Sequence, residues 1–202
     1  SYRAYYQRWA QTWEFQALLK ARPAAGDPEL GQAFSALVEP FVFPETLSPE
    51  AVREVRQMKA RIEAERIDPG EDPDFHLKLG PGSLVDVEFV TQLHQLLHGG
   101  RIPELRVGGT LEALDALSRH EILPQAAADA LAEAYLFCGG VRNRLFLQAG
   151  RARDSLPGEV EEATGLGLSL GYSTRPRASL REDYRRHTRR ARRVVDRWFY
   201  GV

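Results

Sequence analysis

The chain is poor in sulfur chemistry, in long apolar runs and in anything that reads as a β-strand. Cys138 is its single cysteine in 202 residues, which rules out an internal disulfide and fits a reducing, cytoplasmic setting. It lies in an apolar segment, so a buried packing thiol is expected. With no cysteine cluster, a structural zinc site has no ligand set to draw on. No apolar stretch approaches the ~20 residues of a membrane span, and no signal-peptide pattern is visible. Catalytic signatures are missing as well. The glycines around Ser83 do not form Gly-x-Ser-x-Gly, and no Gly-Lys-Ser/Thr follows them as a phosphate-binding Walker loop would require. No segment repeats at a fixed period.

What is present is ordinary for a globular protein: 43% hydrophobic and 27% charged residues. The length suits one domain, 1–202, that buries ~70% of its unfolded surface. A subdivision into 1–67 and 75–202 is possible around the polar, Pro-rich loop 68–74. The first residue is Ser, inside a helical pattern, and this predicts a piece of a larger multidomain protein. The net charge of −1 conceals a split, because Tyr172–Val202 holds ten Arg against three acids. That asymmetry raises a helical nucleic-acid-binding module, using Arg181 through Arg197, as the alternative function. No groove-reading motif accompanies the arginines, and the pI of about 6.5 is not that of a nucleic-acid-binding domain.

Apolar spacing predicts helices almost throughout. Tyr2–Arg22 reads as one long, heavily buried helix, with Tyr2, Tyr6, Trp9, Trp13 and Ala17 in a stripe. Glu29–Val42 follows, and Ser48-Pro49-Glu50 opens a third helix with Ser at the N-cap and Pro at N1. Thr110 caps a short helix, and Pro124 starts a longer one through Leu145, in which Gly139-Gly140 suggests a close crossing or a kink. A weak helix spans Glu159–Leu170. The last, Ala178–Tyr200, aligns Leu180, Tyr184, Thr188, Ala191, Val195 and Trp198. The expected fold is all-α, a bundle of about seven to eight helices with no confident strands.

The organising stretch is His76–Gly100. Gly80-Pro81-Gly82 forms a tight turn, Ser83 stands at an N-cap position, and Leu84, Val87, Val90, Leu93 and Leu97 continue at helical spacing. Gly82-Ser83 with Asp86 and Glu88 imitates a nucleotidyltransferase signature, whose two carboxylates must converge on Mg²⁺. On a helix, positions i and i+2 diverge by roughly 200°, so no metal site and no catalytic residue is expected here. His94 and His98 share a helix face, but Gln95 stands where a zinc-protease helix needs glutamate. Lys78 and the N–H groups of Ser83, Leu84 and Val85 form the more credible feature, an anion-friendly helix start.

Three blocks resemble the glutamine synthetase adenylyltransferase family: Trp13–Pro23 with Gly26-Asp27, Leu77–Phe89, and Arg142-Asn143-Arg144-Leu145. Their order matches too, so the resemblance covers essentially the whole chain; it extends more distantly to uridylyltransferases acting on the PII signal protein. The resemblance implies a helical domain that follows a nucleotidyltransferase domain, in an enzyme that attaches AMP from ATP to a tyrosine of glutamine synthetase and removes it by phosphorolysis. The ending Arg189–Val195 with Trp198–Gly201 resembles the C-terminus of actinobacterial members. Mg²⁺ and ATP would be held mainly by the catalytic domain, and none would be required by this fragment. Glutamine synthetase, PII and the fragment's own nucleotidyltransferase domain are the implied partners. Lys20, Arg22, Lys78, Gly80, Gly82, Asp86 and Glu88 are the implied contacts to nucleotide phosphate or a neighbouring domain. Two departures stand out: Ser83 replaces the usual Gly, and Val85 replaces a frequent Arg. The family's catalytic Ser-Asp-x-Asp after a Gly-Gly segment has no counterpart here, so the fragment alone is expected to be inactive.

Overall fold

A computed structural model describes residues 2–67 and 71–202. Residues 68–70 of the polar loop lie outside the described residues. The fold is all-α: nine α-helices and three short helical turns among the described residues, with a single isolated bridge between His76 and Ser155. The chain forms two compact units that are not consecutive in sequence. Ser1–Ala60 joins Val90–Pro124 in the first, and Arg61–Phe89 joins Gln125–Val202 in the second.

In the first unit, α1 (Tyr2–Arg8) and α2 (Thr12–Leu18) replace the single long helix expected over 2–22. Tyr6 and Phe15 would face opposite sides of one continuous helix, nine residues and therefore ~900° apart. The break brings their rings to 6.3 Å and lets both approach Phe41, at 6.1 and 6.2 Å. Glu14 fixes the restart, its carboxylate accepting from the Gln11 N–H (2.9 Å) and the Tyr5 hydroxyl (2.8 Å). The expected heavy burial does not hold: Trp9 is 71% and Trp13 51% exposed. Next come α3 (Pro28–Val42), capped by Asp27, and α4 (Pro49–Glu65), where the Ser48 hydroxyl accepts from Ala51 N–H at 3.1 Å. The later part of α5 (Leu84–His98) and α6 (Thr110–Arg119) complete the unit. Gln95 ties α5 to the following loop by donating to the carbonyls of Leu105 and Val107, both at 2.8 Å.

In the second unit, α7 (Gln125–Ala149) and α8 (Val160–Ser169) pack against α9 (Pro176–Val195). Phe75, Leu77, Cys138, Val141, Leu145, Leu156, Leu166, Leu180 and Tyr184 form the core. The expected α9 stripe is buried from Leu180 to Val195. Its last member is not Trp198: a π-helical turn over Asp196–Tyr200 adds a residue to the register, so Phe199 turns inward. Phe199 meets Phe89 edge-on at 6.3 Å. α7 runs unbroken through Gly139-Gly140, and a Cβ on either glycine would touch nothing within 4 Å, so the close crossing that these glycines suggested is not found among the described residues.

Candidate functional site

His76, 1% exposed, organises the turn that leads into α5. Its Nδ1 accepts N–H bonds from Lys78 (3.2 Å) and Leu79 (3.0 Å), so the ring proton sits on Nε2, which donates to Glu71 at 3.0 Å. The His76 carbonyl accepts from Gly80 N–H (2.9 Å) and from the Tyr184 hydroxyl of α9 (3.2 Å). Tyr184 is buried, and that burial raises its phenol pKa, keeping it a neutral donor. Gly80 admits this crossing because a Cβ there would lie 2.5 Å from the His76 oxygen and 2.8 Å from the Tyr184 hydroxyl. Gly82 adopts φ +75, and its Cβ would fall 1.9 Å from the Thr188 carbonyl.

The acidic residues that follow do part company on the helix. Asp86 is buried, and one of its carboxylate oxygens accepts from Gly82 N–H (2.7 Å) and Arg192 Nη1 (3.1 Å). Arg192 also donates to Asp196 at 2.7 Å. Burial by itself would lower the Arg192 pKa, but the carboxylates of Asp86 and Asp196 outweigh it and raise the value. Glu88 instead accepts from the Tyr135 hydroxyl of α7 at 3.3 Å. The backbone N–H groups expected to face an anion are used within the chain. Ser83 donates to Gly80 O (3.0 Å), Leu84 to Leu77 O (3.3 Å) and Val85 to Lys78 O (2.9 Å). The Ser83 hydroxyl likewise donates backwards, to Gly80 O at 2.6 Å.

Lys78 remains exposed, 4.0 Å from Asp154, which also pairs with Arg142. Lys78, Gly80, Gly82, Asp86 and Glu88 therefore share one neighbourhood of the second unit. Lys20 and Arg22 belong to the first unit and are exposed just beyond α2. Arg22 lines an open, largely apolar cavity of about 770 Å³ there, together with Tyr6, Leu30 and Phe34. Sequence reasoning missed His76, Tyr184 and Arg192 as the partners of the turn. Arg192 is 106 residues from Asp86, and no local spacing announces such a pair.

Two family models match the chain: one described as GlnD PII-uridylyltransferase over residues 56–200, and one described as Glutamate-ammonia ligase adenylyltransferase over residues 1–37. The chain belongs to the GlnD PII-uridylyltransferase domain family. Its relatives there are glutamine synthetase adenylyltransferases, as the three sequence blocks implied. It is 49% identical to the bifunctional glutamine synthetase adenylyltransferase/adenylyl-removing enzyme of Streptomyces avermitilis, over 100% of this chain and 20% of that protein. Against the Mycobacterium avium protein of the same name, identity is 44% over 98% of this chain and 20% of that protein. For Corynebacterium diphtheriae the figures are 38%, 100% and 19%. The chain thus spans about a fifth of the length of the curated relatives it matches.

Other side chains of this family member that carry reactive chemistry are held in structural roles. Cys138 is fully buried in the second core, and burial pushes its thiol up to about 12, far from a reactive thiolate. His94 and His98 stack face to face at 5.7 Å. Burial, aided by Arg101, lowers the His98 pKa and favours the neutral ring. Among the described residues, no helix is long and apolar enough to cross a membrane.

Proposed function

We propose that this chain is a helical accessory and regulatory domain of an enzyme that transfers AMP from ATP to a tyrosine of glutamine synthetase and removes it by phosphorolysis, in the cytoplasmic control of nitrogen assimilation. The relatives' shared name supports the reaction. The environment of Asp86 and Glu88 supports the accessory role and is the observation that carries it. A Mg²⁺ ion needs free carboxylate oxygens, whereas Asp86 is held by an amide and a guanidinium, and Glu88 turns to Tyr135. These residues do not fit the ion, so Mg²⁺ and ATP fall to a nucleotidyltransferase domain elsewhere in the enzyme.

On this reading the exposed cations Lys20, Arg22 and Lys78 contact that domain, while Gly80, Gly82, Asp86 and Glu88 hold the turn from beneath. PII is the proposed regulatory partner. Within the nucleic-acid alternative, four of the ten terminal arginines already face carboxylates: Arg175 with Glu182, Arg186 with Asp183, Arg190 with Glu133, and Arg192 with Asp86. This reduces the charge available for phosphates.

The test mixes the 202-residue chain with Mg²⁺-ATP and glutamine synthetase, and separately with the remainder of the Streptomyces avermitilis relative. The expected result is no AMP incorporation by the chain alone, together with binding to that remainder. The triple variant Lys20→Ala/Arg22→Ala/Lys78→Ala should weaken binding ~tenfold without lowering the melting temperature. AMP transfer by the chain alone, or binding indifferent to the triple variant, overturns the reading.

A further inference from the structure

Around the start of α9, the second unit gathers more positive charge than its carboxylates neutralise. An open polar cavity of about 480 Å³ is lined by Arg66, Arg151, Arg153, Arg181, His76 and Ser155, among others. These arginines come from the segment after α4, the loop after α7, and α9 itself. Arg181 also lines a second cavity of about 480 Å³, with Arg175, Arg177 and Arg185. Both volumes fall within the range of small-molecule sites.

The carboxylates facing the first cavity are largely engaged. Glu71 accepts from the His76 Nε2–H, Asp154 pairs with Arg142 and Lys78, and Arg153 pairs with Glu162. Asp72 accepts from the Asp74 N–H at 3.0 Å, and its charge is felt by Arg181. In the second cavity Glu182 stands 4.0 Å from Arg175. Arg66, Arg151, Arg177, Arg181 and Arg185 have no ion pair among the described residues. The Nε atoms of Arg177 and Arg181 and the hydroxyl of Ser155 are buried with no hydrogen-bond partner, a costly state for polar atoms. The guanidiniums of Arg181 and Arg185 both sit over the Phe75 ring, at 4.2 and 4.7 Å. Burial first, then Arg177 and Arg185 against the opposing Asp72, lowers the Arg181 pKa, and a bound anion would favour its charged form.

We propose that this arginine-lined cavity, centred on Arg181 with Arg66, Arg151 and the Ser155 hydroxyl, binds a small anion carrying two or more phosphate groups. Guanidinium forks match phosphate oxygens bidentately. Three guanidiniums on three separate segments, set against Asp72, can each take a pair of phosphate oxygens, and a linked pair of phosphates supplies more of these than a single phosphate does. The cavity adjoins the glycine turn through His76, and its binding readout does not depend on AMP transfer.

Titration calorimetry of the 202-residue chain with pyrophosphate, at near-physiological salt, tests this. One saturable equivalent is expected, with inorganic phosphate binding more weakly. Arg181→Gln and Arg151→Gln should each lower the affinity ~tenfold or more, and Ser155→Asp should abolish binding by placing a carboxylate in the cavity. Arg189→Gln, on an exposed α9 position outside both cavities, should leave it unchanged. Should Arg181→Gln fail to fold for want of its Phe75 contact, the exposed Arg151 decides. Absence of saturable binding, or equal weakening by Arg189→Gln, overturns the site. Displacement of pyrophosphate by duplex DNA with all α9 arginines contributing alike also overturns it.

Discussion

A methyl group at position 82 would meet the Thr188 carbonyl at 1.9 Å, in a backbone conformation with φ +75. Gly82→Ala therefore combines a left-handed penalty with overpacking against a rigid helix backbone, and should cost ~3 kcal/mol or more. Urea unfolding measures it, and a loss below ~1 kcal/mol would show that α9 yields. Asp86 sets the second residue-scale expectation. Its carboxylate is 1% exposed, while the Arg192 side chain is 31% exposed, so Arg192 regains some solvation when the pair is broken. Asp86→Ala should still cost ~3 kcal/mol, because the Gly82 amide and the guanidinium lose one shared acceptor. In a double-mutant cycle with Arg192→Met, a coupling of ~1–3 kcal/mol is expected; additivity would mean that the ion pair contributes nothing. None of this was legible locally. Gly80 and Gly82 announced a turn, but not that a helix more than 100 residues later lies against it.

At the scale of elements, α7 offers a direct trial of helix propensity. Gly139 and Gly140 sit inside a 25-residue helix with open space where each Cβ would go. Gly140→Ala should stabilise the chain by ~1 kcal/mol and raise the melting temperature by ~2–4 °C. A decrease would reveal a contact outside this chain. The periodic pattern placed most helices within a residue or two, since an apolar stripe is the cause of burial rather than its consequence. It failed over Tyr2–Arg22, where the spacing fitted one helix but the rings of Tyr6, Phe15 and Phe41 meet only if the chain breaks at residues 9–11. It failed again at the end of α9, because a π-helical turn moves the inward position from Trp198 to Phe199.

For the molecule as a whole, acid sensitivity follows from two histidines. Burial is the first cause that lowers the pKa of His98, and also that of His187, with Arg101 and Arg186 adding to it respectively. Above the unfolded value of ~6.5 both states are neutral there, and these groups add no pH dependence. As pH falls below it, the unfolded chain takes up protons first, so stability declines until the folded-state values are passed. Melting temperature should fall between ~pH 7.5 and ~pH 5.5, and His98→Gln with His187→Gln should flatten that slope. An unchanged slope in the double variant would assign the acid response to other groups. The sequence by itself determined the all-α class, the capped start of α4, the buried thiol, and the divergence of Asp86 from Glu88, because each depends on residues within one or two helical turns. Only the tertiary structure decided that the two compact units draw on alternating stretches of chain, that the N–H groups of the glycine turn are spent internally, and that Asp86 answers to Arg192. Those outcomes depend on which distant surfaces meet, and pairing across 100 residues leaves no periodic trace in the sequence.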